Sequence, residues 1–317
     1  MRRARGSFGV VAGGAALLLL VAACGSSNNA GSSGSSSSTT TSGSSSSSGA
    51  ATGLKKDAKL AAMVPKSVSS DGKVVVATDP TYAPMEFIGS DNTTLIGVDP
   101  ELGQALGQIL GIQFQFQKAT FDGIIPGLAS GKYELGMSSF TDTKQREKVV
   151  DFVTYFKAGT ALLVPKGNPK HLSPTGDSLC GLTVGAEKGT IQSDSDMPAR
   201  SKKCVADGKK PLNEKTYPGQ DGVNLALSTG RIDAALADSG VAGYMAEKSH
   251  GSFQTVGKAY STAPYGIAVP KNDGQFTKAL QGAMQKLINS PEYMKILKKW
   301  DAQQGAITTS QINVAKS

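Results

Sequence analysis

Within the nine residues from Ser138 to Arg146 the chain places the hydroxyls of Ser138, Ser139 and Thr141 close to one guanidinium. Hydroxyls offer single hydrogen bonds and the planar fork of an arginine fits both oxygens of a carboxylate, so this group suits one small anion. About a hundred residues later the matching position is held by Asp238, a group for a cation. The pair reads as the two ends of a site for a zwitterion.

Both groups stand at the end of the same kind of unit. In residues 121–139, Asp122 is expected to cap a helix whose apolar face is Ile124, Ile125 and Leu128, with Gly131 ending it and residues 135–137 forming a buried strand. Residues 220–238 align with this stretch without a gap, repeating the Asp-Gly start, the helical leucine, the closing glycine, the basic-x-acidic step and the strand. Around these units the chain alternates strand and helix. Residues 73–77 read as a strand, Asp99 and Pro100 as the cap and first residue of a helix stopped by Gly111, and residues 112–117 as a strand by strict alternation. Extended segments follow at 152–156 and 161–164. A second sheet is expected from Leu182, with a strand at 265–269, a helix carrying Phe276, Leu280, Met284 and Leu287, and a last helix opened by Ser290 and Pro291. Such alternation argues for an α/β protein with a mostly parallel sheet, in which ligands bind beyond the carboxyl ends of the strands.

Not all of the 317 residues look foldable. A basic start, an apolar run over residues 10–21 and the sequence V-A-A-C ending at Cys24 read as an export signal, the run being short for a membrane span. It resembles a bacterial lipoprotein leader in which Cys24 is lipidated, the plainer alternative being an ordinary cleaved signal. Residues 25–53 are almost wholly Ser, Gly, Thr, Asn and Ala, the composition of a flexible tether. The net charge of +8 falls to +5 once Arg2, Arg3 and Arg5 leave with the leader, 30 basic against 25 acidic residues. The remaining lysines are scattered or sit near helix ends, which argues against a nucleic-acid partner. Cys180 and Cys204 are left as a disulfide pair in an oxidising compartment, or as two reduced thiols.

Seven motifs in order carry a family resemblance: T-D-P-T-Y-A-P-M-E-F from Thr78, G-V-D-P-E-L from Gly97, F-D-G-I-I-P-G-L from Phe121, R-E-K-V-V-D-F from Arg146, G-T-I-Q from Gly189, R-I-D-A-A-L-A-D from Arg231 and P-Y-G-I-A-V from Pro264. Across residues 74–300 the chain is similar to the extracytoplasmic solute-binding proteins (family 3) of polar amino-acid ABC importers. The resemblance implies a two-lobed, periplasmic-binding-protein-like (type II) fold with a cleft between the lobes and a two-segment hinge. It divides the chain into a leader (1–23), a tether (24–70), a first lobe (71–160), a second lobe (161–262) and a return to the first (263–317). It also implies a monomer, anchored by lipid to the outer face of the cytoplasmic membrane, that hands an amino acid to a permease without cofactor or metal.

Carried over residue by residue, Arg146 grips the α-carboxylate with Thr141, Ser139 and the backbone N–H groups of Thr190, Ile191 and Gln192. Asp238, with oxygens near Ser138 and Ser139, meets the α-ammonium, and Tyr82 and Phe121 sandwich the side chain. Asp79 and Glu187 fall near the side-chain end, where two carboxylates favour arginine, lysine or ornithine, with glutamine the alternative. Ile191 stands where relatives often carry a hydroxyl, and Met85 where they carry phenylalanine. Each residue also has a plainer reading: Arg146 as a surface charge paired with Glu147 or Asp142, Asp238 as a helix cap, Tyr82 and Phe121 as core aromatics. The rival functions are a dehydratase-like enzyme on the same scaffold and a receptor for a signalling partner. Against an enzyme, the chain has no G-x-S-x-G, P-loop, H-E-x-x-H or metal-spaced cysteines, and His171 and His250 lie in polar loops.

Overall fold

The computed structural model describes residues 53–316 except Asn272. The leader, Cys24 and the tether as far as residue 52 lie outside the described residues. The expected tether runs to residue 70, but the fold begins earlier. Two short helices, α1 (Ala58–Ala62) and α2 (Lys66–Ser69), and the turn between them pack Leu60, Val64 and Val68 onto the core, and Asp57 caps α1 through Lys59 N and Leu60 N. Burying these apolar side chains is what draws the end of the polar tether into the domain.

From there the chain builds β1 (Lys73–Thr78), β2 (Thr81–Tyr82), β3 (Glu86–Ile88), β4 (Leu95–Ile96), α3 (Val98–Leu110), β5 (Gln113–Lys118), α4 (Phe121–Ala129) and β6 (Leu135–Gly136). The long β7 (Val150–Pro165) crosses to β8 (Thr183–Glu187), α5 (Met197–Ala206), β9 (Asn213–Tyr217), α6 (Gln220–Ser228), β10 (Ala234–Asp238) and α7 (Ser239–Lys248). The equally long β11 (Phe253–Pro270) returns to α8 (Gly274–Ile288) and α9 (Pro291–Lys299). Helix α3 starts at Val98 with Gly97 as its cap, so Asp99 lies inside the first turn and not before it. A Cβ at Gly97 would overlap the Met85 carbonyl, and its φ of +130° is open to glycine.

The main sheet runs β5-β1-β6-β11-β7-β10-β8-β9 without a break, so the second sheet expected from Leu182 is hydrogen-bonded to the first through β7 and β11. On each side of that crossing pair is a parallel triplet made by a β-α-β-α-β run whose first strand lies in the middle. The structure is therefore duplicated, and two lobes share two crossing strands. The β7–β11 ladder shifts register between Val256 and Tyr260 and again between Tyr260 and Ala263, opposite Ala158 and Thr160.

The repeated acidic residue has one job in both lobes. Glu134 N donates to Val75 O while Glu134 Oε2 accepts from Val75 N at 2.7 Å; Asp233 N donates to Thr183 O while Asp233 Oδ2 accepts from Thr183 N at 2.8 Å. Each acid closes the ladder one residue ahead of its strand, fixing the register that sets where the strand's far end arrives. Cys180 and Cys204 are joined as a disulfide, tying the segment before β8 to α5.

Candidate functional site

The carboxyl ends of β6 and β10 face each other across the crossing strands, and the residues beyond them line a small pocket. All twelve residues singled out in the sequence line it, and so does Glu86, which lies within one of the quoted motifs but was not singled out.

Arg146 is the cavity's cation. Its Nη1 donates to Thr141 O and its Nη2 to Gly189 O, both at 2.8 Å, and the guanidinium lies 5.3 Å from the Phe121 ring and 5.4 Å from the Phe140 ring. Those two rings are stacked with centroids 4.5 Å apart. Burial pulls the Arg146 pKa down to about 10, with Asp238 opposing the shift, so the group stays charged at neutral pH. The surface-charge reading fails: Glu147 is held by Lys144 Nζ and Ala315 N, and Asp142 by Val314 N. With two of its five N–H groups spent on neutral carbonyls, the guanidinium keeps donors and an unneutralised charge for an anion.

Asp238 occupies the N-cap position of α7 but gives that helix no side-chain bond. Its Oδ2 accepts from Tyr265 OH at 2.5 Å and Tyr82 OH at 3.0 Å, and its Oδ1 from Gln192 Nε2 at 2.8 Å. Burial raises its pKa, opposed by these three donors and Arg146. Tyr82, on β2 of the first lobe, thus bonds across the cleft to the end of β10, and Asp238 N donates back to its hydroxyl at 3.2 Å. Tyr82 is therefore more than an aromatic wall.

Asp79 does what the sequence assigned to Asp122. Its Oδ2 accepts from Phe121 N at 3.0 Å, capping α4 from 42 residues away, while Oδ1 accepts from Thr81 N and Thr81 Oγ1. Asp122 instead pairs with Lys188 across the lobes at 2.7 Å. Beside that pair Gly189 adopts φ +81°, and a Cβ there would lie 2.9 Å from Asp122 Cβ. Thr190 Oγ1 donates to Glu187 O, and residues 190–192 open the helical segment leading into α5, so their N–H groups have no intrahelical acceptor.

Glu187 differs from the other acids. It is 2 % exposed, lines the cavity, and its Oε1 has no hydrogen-bond partner. Burial, then the charges of Asp79 and Asp238, push its pKa well up. A buried acid without a donor either holds its proton or awaits a cation. The two histidines, His171 and His250, are exposed and lie apart from the cavity.

A family model described as "Bacterial extracellular solute-binding proteins, family 3" matches residues 74–303. The chain belongs to that family. Among relatives, it is 33% identical over 255 residues to the arginine-binding protein ArgT of Corynebacterium glutamicum, covering 80% of this chain and 83% of that protein. It is 29% identical to the lysine/arginine/ornithine-binding periplasmic protein of Escherichia coli, covering 78% and 92%. Among solved structures it is similar to an ancestral arginine-binding protein bound to arginine, with a TM-score of 0.66 and 32% identity over 72% of this chain and 98% of that one. An ancestral amino acid-binding protein described as a precursor of cyclohexadienyl dehydratase has a TM-score of 0.64 and 28% identity, covering 74% and 98%. This family 3 protein is a binder by family, and the two-lobed fold is the one its motifs imply.

Proposed function

We propose that this family 3 protein captures a free amino acid with a cationic side chain between its lobes and presents it to an ABC permease. The observation that carries the side-chain preference is the bare Oε1 of Glu187 in a cavity where Arg146 is the cation among four carboxyl groups, Asp79, Glu86, Glu187 and Asp238. A zwitterion uses Arg146 for its carboxylate and Asp238 for its ammonium. Glu187 is left over, and a second positive charge answers it. The N–H groups of residues 190–192 support Arg146 at the anionic end, while the Phe121 face flanks the ligand stem. The named ligands of the ArgT relative and of the Escherichia coli protein agree with this reading.

The same reading takes Cys24 as the lipid attachment point, residues 1–23 as a removed leader and the stretch after Cys24 as a tether. It places a monomer on the outer face of the cytoplasmic membrane, with lobe boundaries near residues 160 and 262. Because both lobes contribute ligand partners, only the closed arrangement completes them, and a permease can read that shape. Isothermal titration of protein lacking residues 1–52 with the twenty amino acids tests the proposal. Arginine, lysine or ornithine binding at least tenfold tighter than glutamine supports it, and a preference for neutral or acidic amino acids refutes it.

A further inference from the structure

Glu86 is 1 % exposed at the floor of the cavity, and its hydrogen bonds fix the direction of its neighbours'. Its Oε1 accepts from Ser138 Oγ and its Oε2 from Ser139 Oγ, each at 3.0 Å. A serine hydroxyl owns one proton. With that proton committed to Glu86, each serine presents lone pairs to everything else: Ser138 Oγ accepts from Asp79 N at 2.9 Å, and Ser139, which lines the cavity, is left with only lone pairs on its Oγ.

The arrangement is held from behind. Ser139 sits at φ +52°, a conformation that a non-glycine residue keeps only when its surroundings impose it. Here Ser139 N donates to Asp99 Oδ2 at 3.0 Å, and the same oxygen takes Tyr155 OH at 2.8 Å. Glu86 and Asp99 are both raised by burial, and Glu86 further by Asp99 beside it. The serine bonds keep this direction whenever any proton on Glu86 is turned to Asp99 and not to a serine.

The geometry points to Glu86 as a positioning residue that sets the polarity of the cavity floor: by taking both serine protons it makes Ser139 Oγ an obligate acceptor, reserved for an ammonium N–H and closed to a carboxylate. This rests on the amino-acid reading above. It also removes Ser139 from the carboxylate's partners, where the resemblance had placed its hydroxyl.

Glu86→Gln preserves shape but forces an amide N–H onto one serine, which must then turn its own proton elsewhere. The test compares arginine, its des-amino analogue 5-guanidinopentanoate, and agmatine, which lacks the carboxylate, by titration calorimetry. The wild type is expected to favour arginine over the des-amino analogue, and Glu86→Gln to shrink that preference at least tenfold while the preference over agmatine is unchanged. Ser139→Ala is expected to do the same, and the double variant to lose no more than either alone. Glu86→Gln with wild-type discrimination overturns the inference and leaves the amino-acid reading standing. Ser139→Ala acting on the arginine-to-agmatine ratio instead overturns it even if Glu86→Gln does not fold. A wild type that binds the des-amino analogue as tightly as arginine overturns both.

Discussion

Replacing Glu187 by glutamine is the perturbation whose size follows most directly from the geometry. The side chain is buried and its Oε1 is unpartnered, so in the complex it faces a ligand cation with little water between them. Truncating one member of a buried charge pair costs about 2–5 kcal/mol. Glutamine keeps one acceptor and no longer has to be desolvated as an ion, which places the loss in the lower part of that range, about 2–3 kcal/mol, or roughly 30- to 150-fold in Kd for arginine. A neutral ligand such as glutamine never gained from the charge, so its Kd is expected to stay within about threefold. The ligand-free variant should also melt higher, because a buried, donorless acid has been removed. Titration calorimetry of both ligands on both proteins is the assay. Equal losses for arginine and glutamine, or none for either, would refute the assignment of Glu187 to the side-chain cation.

Three further outcomes are expected. Asp79, Glu187 and Asp238 are held above the ordinary carboxylate range by burial, and Asp142 and Asp99 are pushed up to about 6 and about 7. The folded state then holds more protons than the unfolded one above about pH 4, so ligand-free stability falls as pH rises towards 7. A melting temperature that is flat or rising over that window contradicts this, and arginine should lessen the fall by supplying cations to the ionised acids. Opening the Cys180–Cys204 bridge, which spans a sequence separation of 24, should cost about 3 kcal/mol by loop entropy, read as a lower urea midpoint for the double serine variant. Gly189→Ala places a Cβ against Asp122 at the cleft mouth, a crowding worth about 1–2 kcal/mol, and strains a backbone held at φ +81°, so it should weaken arginine binding roughly tenfold and also lower the ligand-free melting temperature.

The duplicated helix–strand unit was legible because its signals are local: the Asp-Gly start, the closing glycine and the acid two residues after a basic one. Glu134 and Asp233 show why the spacing is repeated, since each completes the same ladder. Long-range roles were not legible. Asp79 caps α4 across 42 residues, leaving Asp122, the nearer and more conventional candidate, free to pair with Lys188. Asp99 precedes a proline and so reads as a cap, yet its carboxylate turns to Ser139 and Tyr155. Glu86 had only one mark in the sequence, a lone acid in the otherwise uncharged stretch P-M-E-F-I, and the serines that explain it lie 52 and 53 residues on. Helices α1 and α2 were missed because Leu60, Val64 and Val68, at helical intervals, follow directly on a polar tract whose composition dominates the reading.

Two uninterrupted, regularly paired strands resist bending, since flexing a hydrogen-bonded ribbon strains every rung. In β7 and β11 the rungs are already out of step around Thr160 and Tyr260. Rotation concentrated there has few regular bonds to break; the ladder slips once more between Tyr265 and Gly266, and the matched stretches beyond these shifts serve as the rigid arms. Opening the jaws is therefore inexpensive in backbone terms, and the grip on a captured molecule is governed by what its charges add at the rim and floor rather than by elastic recoil of the connecting ribbon.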